Sequence, residues 1–210
     1  MAIPDFRDDG RLPDGLHPAS ESEVTFRFGS ATPRRRRPAL RLRRWIALAR
    51  AVHAKRFLVD GSFVTATPDP QDVDAVVWLE ADFSTRVSRG DVEAVELEMM
   101  LLTRQPEEIY AAGTPRDWED WVQYFSLTRE ADGRRKGLVE VELLIATEIE
   151  YEKAQLELRQ LQERLERLQQ DHPIGENGFT KAGIRKLIAR LNEELAVFEG
   201  SEEARSSPAT

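Results

Sequence analysis

The chain has 210 residues, 40% of them hydrophobic and 32% charged, with a net charge of −8. That length suits one ordinary domain plus an appendage, and the acidic balance argues against general affinity for nucleic acid. There is no cysteine and there are three histidines, His17, His53 and His172, which excludes disulfides and thiolate centres and leaves little for a histidine-rich zinc site. No apolar run approaches the roughly 20 residues that span a bilayer. The opening MAIPDFRDDG lacks the basic-then-apolar order of a secretory signal, so a cytoplasmic location and no membrane partner are expected.

Residues 1–33, rich in Pro, Gly and Asp, read as an extended arm with one short helical turn, for which Ser20 and Glu23 have capping-box spacing. From Arg34 to Arg56 there are ten Lys/Arg and no acid. Such a basic face suits a phosphate-bearing ligand, or more simply a solvated helix side. Leu40, Trp45, Leu48, Ala49 and Val52 recur at helical spacing, which predicts a helix of about four turns beginning near Pro38. Arg56–Asp60 reads as a strand, Gly61-Ser62 as a turn and Thr65–Gln71 as a loop. Val73–Leu79, nearly all apolar, reads as a strand inside its sheet. Gly90–Leu102 is helical by composition, and Gln105–Asp117 reads as a short helix with loops. Trp121–Thr128 and Lys136–Leu144 read as paired strands around an Asp-Gly turn.

Beyond residue 145 the character changes. Tyr151, Ala154, Leu158, Leu161, Leu165 and Leu168 form a heptad seam. Asp171–Gly178 reads as a loop. Thr180 can cap a second helix with its own seam, Ile184, Leu187, Leu191, Leu195 and Phe198, ended by Gly200. An antiparallel helical hairpin over 146–200 follows, with 201–210 as a disordered polar tail. The expected fold class is α+β: a small mixed sheet flanked by helices over residues 1–145, then the hairpin.

The chemistry concentrates in DGSFVTATPDPQDVD, residues 60–74. Residues two apart on a strand point the same way, so Asp72 and Asp74 present two carboxylates to one face. Like charges so close repel, and a hard divalent cation relieves that cost. Gly61 lets backbone N–H groups approach a phosphate, and the Ser62 hydroxyl adds a donor. Two carboxylates and a phosphate turn suit phosphoryl or nucleotidyl transfer. A third carboxylate is expected from the later strand, where Glu140 and Glu142 share a face; Glu142 is slightly favoured, and the sequence does not separate them. Glu80 is too distant, about 20 Å along the strand from Asp74.

The order strand, Gly-Ser, loop and Asp-x-Asp opening an apolar strand resembles the nucleotidyltransferase superfamily of polymerase-beta-like and minimal nucleotidyltransferases. Gly61, Ser62, Asp72 and Asp74 match its signature. The chain more closely resembles an uncharacterised bacterial family within that superfamily, through IPDFRDDG, PRRRRPALRLRR, DGSFVTATPDPQDVD and KGLVEVEL. It departs from the minimal members' second glycine and pre-aspartate serine, having Ala66 or Thr67 and Gln71 there. The resemblance implies transfer of an NMP unit, AMP first, from a nucleoside triphosphate to a partner protein or RNA. It implies magnesium, or manganese in its place, held by Asp72, Asp74 and Glu142 or Glu140, and a toxin–antitoxin or phage-defence setting. EYEKAQLELRQLQERLERL and ARLNEELAVFEG resemble helical hairpins that accompany antitoxin regulators, which implies a dimer or hetero-complex through 146–200.

Other residues have a functional and a plainer reading. Arg34–Arg37, Arg41, Arg43 and Arg44 can steer a triphosphate or RNA, or simply solvate a helix. Trp118 and Trp121, near Tyr124 and Phe125, can stack a base or fill a core. Lys136 can reach a phosphate, and His53 has no acid partner. The competing reading is a nucleotidyltransferase-like binding module without turnover, acting through its hairpin.

Overall fold

The computed structural model describes residues 3–103, 108–128, 130, 133–145, 148–171 and 178–206. They divide into two units, Met1–Leu143 and Leu144–Thr210.

In the first unit, strand β1 (Gly15–Ala19) leads into helix α1 (Glu21–Gly29). Ser20 and Glu23 form the expected capping box, each bonding the other's backbone. The residues before 33 therefore hold a strand and a nine-residue helix, not an arm with a single turn. Helix α2 (Pro33–Ala51) begins five residues before the expected Pro38, capped by Thr32 with Pro33 at its first turn. Pro38 lies inside it, and Leu40 is exposed.

Strand β2 (Arg56–Asp60) and strand β3 (Asp74–Trp78) pair antiparallel, with Asp60 opposite Asp74. Helices α3 (Phe83–Ser88) and α4 (Val92–Thr103) carry the chain to strand β4 (Ile109–Ala112), parallel to β3. Residues 109–112 are thus a strand rather than part of a short helix, and 104–107 lie outside the described residues. Helix α5 (Pro115–Ser126) precedes strand β5 (Gly137–Val141). The sheet order is β1-β5-β2-β3-β4.

The expected strand at 121–128 is the second half of α5. Thr114 and Asp117 cap that helix reciprocally, with Pro115 in its first turn. Trp118, Trp121, Val122 and Phe125 recur at helical spacing and pack on the sheet. Of the hairpin read from sequence, the described residues keep an isolated antiparallel bridge, Leu127 to Arg135, just outside the helix.

Alternation divides the sheet's two faces. Phe57, Val59, Ala75, Val77, Val139 and Val141 join the main core with α1, α2 and α4. Leu58, Val76, Ala112 and Leu138 meet Trp118 and Phe125 of α5 in a second core. By the same parity, Asp60, Asp74 and Lys136 lie in the rows of this second face.

The second unit holds helices α6 (Glu148–Asp171) and α7 (Gly178–Ser206). Tyr151, early in α6, stacks on Phe198, late in α7, at 5.0 Å, so the helices run antiparallel. Ala154 and Leu161 pack against Ile184, Leu191 and Leu195. Helix α7 begins two residues before Thr180 and continues through Gly200 to Ser206, so that glycine does not end it. Most of the expected loop, 172–177, lies outside the described residues, as do 207–210 of the expected tail.

Candidate functional site

The antiparallel pairing of β2 with β3 sets the geometry, because residues 61–73 leave and rejoin the sheet at one point. Gly61 makes that possible. Its φ is +86°, and an added Cβ would lie 3.0 Å from the Asp72 carbonyl oxygen and the Asp74 nitrogen. A 3₁₀ turn, Ser62–Val64, follows, with Phe63 and Val64 buried as anchors.

Ser62 locks Asp72 in place. Its backbone N–H donates to Asp72 Oδ1 at 2.7 Å, and its hydroxyl donates to the same oxygen. The hydroxyl oxygen also accepts from the backbone N–H groups of Gln71 and Asp72, at 2.8 and 3.2 Å. The Ser62 donors expected for a phosphate are therefore spent on the Asp72 carboxylate in this structure.

Asp74 and Asp60 are both buried. Burial, with repulsion from Asp72, Asp60 and Glu108, pushes the Asp74 carboxyl up to about 7, against the pull of Lys136. Lys136 Nζ lies 2.7 and 2.6 Å from the two oxygens of Asp60. Burial pushes that carboxyl up, and the ammonium opposes it.

These groups line a cleft of about 1080 Å³. Its wall includes Gly10 and Arg11 of the N-terminal segment and Thr65–Thr67 of the loop. Gly10 O accepts from Ala66 N–H at 2.9 Å, tying these parts together. Arg35, buried on α2, ties the loop from behind. Its guanidinium donates to Phe28 O at 3.0 Å, to Phe63 O and Thr65 O at 2.8 Å, and to Thr67 O. Of the basic run, then, Arg35 points inward, while Arg34 pairs with Asp69 and Arg36 and Arg37 are exposed.

The structure brings together Gly61, Ser62, Asp72 and Asp74, and separates them from the other two candidates. Glu140 sits opposite Leu58 and is held by Arg56, whose Nε and Nη2 donate to its two oxygens. It is four residues beyond Lys136, about 13 Å along the strand by rise. Glu142 follows the end of β5; its carbonyl accepts from Arg50 Nη2 at 3.2 Å, and its N–H donates to Ala19 O at 3.0 Å. Neither side chain lines the cleft. The expected third carboxylate is corrected accordingly: the residue just before β5, Lys136, lies at the cleft, and the additional acids lining it are Asp8, Asp9, Asp60 and Glu108. Trp118 is buried beneath Arg56, and Trp121 packs between Tyr110 and Phe125. The aromatic residues that do reach the cleft are Tyr110, Tyr124 and Phe125.

Sequence reasoning missed Asp60, Glu108 and the role of Lys136. Asp60 had a signal: an apolar strand closing on an acid immediately before Gly61. Among the described residues, no group of three or more His, Asp or Glu side chains is arranged to hold a metal ion unaided. The donor set at Asp72 and Asp74 fits magnesium in its usual manner, through one or two carboxylates plus substrate phosphates. Among the described residues, no helix is long and apolar enough to cross a membrane.

No curated protein and no solved structure matches the chain. Residues 4–142, nearly the whole sheet-bearing unit, match the family of unknown function DUF6932, to which the chain belongs.

Proposed function

We propose that the cleft binds a nucleoside triphosphate with a divalent cation and transfers its NMP unit, AMP in the first instance, to a hydroxyl of a partner protein or RNA. The carrying observation is the Gly61 turn, which sets Asp72, fixed by Ser62, beside Asp74 on one face of an open cleft. Magnesium or manganese at Asp72 and Asp74, when bound, neutralises charge on the phosphates.

The chain's own groups do the remaining work. Ser62 preorganises Asp72, so that carboxylate need not reorient on binding. Burial and then repulsion from Asp72, Asp60 and Glu108 raise Asp74, and a cation at this point relieves the repulsion. Lys136 keeps Asp60 compensated and sets a positive group at the cleft. In the transfer, the acceptor oxygen bonds to the α-phosphorus, the bond to the bridging oxygen breaks and pyrophosphate leaves. The acceptor proton passes to a carboxylate of the cleft.

Incubation with α-labelled ATP, GTP, CTP or UTP and magnesium tests this. Label should appear on a protein or RNA with the wild type and vanish with Asp72→Ala/Asp74→Ala. No transfer and no magnesium-dependent nucleotide binding would remove the reading. A second reading is favoured by one observation: Glu140 is committed to Arg56 and Asp60 to Lys136. On that reading the unit binds a nucleotide without turnover and acts on a partner through its helical hairpin. Magnesium-dependent binding with no label transfer would favour binding without turnover over transfer.

A further inference from the structure

The cleft has two chemically different linings. Asp60, Asp72, Asp74 and Lys136 gather at the β2–β3 turn, while Tyr110, Tyr124 and Phe125 bring aromatic surface from β4 and α5. A cation with bare phosphates needs only the first lining. A ligand that satisfies both carries a charged, metal-binding end and a flat ring.

Tyr124 is the prominent member of the second lining. It is 66% exposed, although it sits one residue from the buried Phe125. Its ring meets the Phe125 ring at 5.2 Å and 82°, and the Trp121 ring at 6.0 Å and 85°. Trp121 is itself fixed, with Tyr110 at 4.5 Å and its indole N–H donating to Ala111 O at 3.2 Å. The tyrosine is thus buttressed by rigid neighbours in edge geometry, and most of its surface still faces solvent. Rigid, exposed aromatic surface on a cleft wall is a stacking platform at small entropic cost.

We propose that the nucleobase of the bound triphosphate stacks against Tyr124, with Tyr110 and Phe125 beside it. This rests on the nucleotide reading above. Every base has a π-face, so such a wall selects a nucleotide over plain polyphosphate more strongly than one base over another.

Calorimetric titration of the full chain in magnesium, with ATP, GTP, CTP, UTP and inorganic tripolyphosphate, tests it. The four nucleotides should bind within a few-fold of each other and about tenfold tighter than tripolyphosphate. Tyr124→Ala should weaken all four about tenfold and leave tripolyphosphate unchanged. Tyr124→Phe should keep wild-type affinity, since it retains the ring. The site is exposed on a helix, and a thermal melt checks that the alanine variant folds. Unchanged nucleotide affinity in Tyr124→Ala overturns the proposal. So does tripolyphosphate binding as tightly as the nucleotides, which leaves the cation-and-phosphate reading standing. If neither class of ligand binds, both readings fall together.

Discussion

Gly61 carries two constraints at once, a left-handed φ and a close approach to the start of β3. Gly90 has a similar φ of +79° with open space around its Cα. Gly90→Ala should therefore cost about 1 kcal/mol, the conformational part alone. Gly61→Ala should cost about 3 kcal/mol, because the β2–β3 junction must also shift. Urea midpoints compare the two, and equal losses would refute the close approach. Asp74 gives a pH signature. An ordinary carboxyl titrates near 3.9, about its value in the unfolded chain, whereas the folded value is about 7. The folded state thus binds the proton more tightly. Stability linked to Asp74 is complete below about pH 4 and is lost as pH rises through 7. Asp74→Asn removes that dependence. Its melting temperature, relative to wild type without added cation, should rise from pH 5 to pH 8, and a flat difference would contradict the burial described.

Helix α2 and the loop after Gly61 act together through Arg35. Three carbonyls of residues 63–67, and one at Phe28, depend on a single guanidinium. Arg35→Met leaves those acceptors unpaired and should cost about 3 kcal/mol, with faster proteolysis in the 65–71 loop. Arg35→Lys keeps the charge but not the fork, so it should fall between. Protection of the loop unchanged in the methionine variant would show that Arg35 does not hold it. Which elements the sequence revealed follows from how local their causes are. β2, β3 and the Gly-Ser turn were legible because apolar runs and a turn dipeptide sit side by side. β1 was not: GLHPA carries a glycine and a proline, and its pairing partner lies at the other end of the unit. In α5 a dense aromatic run hid a helical period behind strand-type residues, although Thr114, Pro115 and Asp117 had marked a helix start. The site divides in the same way. Gly61, Ser62, Asp72 and Asp74 lie within one short stretch and were found. The Asp60–Lys136 pair joins residues 76 apart, and its existence depends on strand register. The same register sends Glu140 to Arg56, an exchange that local spacing cannot show.

At the level of the whole molecule, the two units have separate cores. The main core runs from Ile3 to Leu143, and the hairpin core draws on Ile145 to Leu195. A fragment of residues 1–145 should unfold cooperatively and keep the full chain's magnesium-dependent nucleotide affinity. Loss of either would show that the hairpin completes the first unit. The pairing of β1 with β5 has a further consequence, in the order of events on the ribosome. β2 and β3 are joined by one short loop and can pair as soon as both have emerged. β1 is made first, yet among the described residues its partner in the sheet is β5. At ordinary synthesis rates, the roughly 120 residues between them take on the order of ten seconds. The carboxylate turn can thus be assembled while the N-terminal strand still waits for its partner.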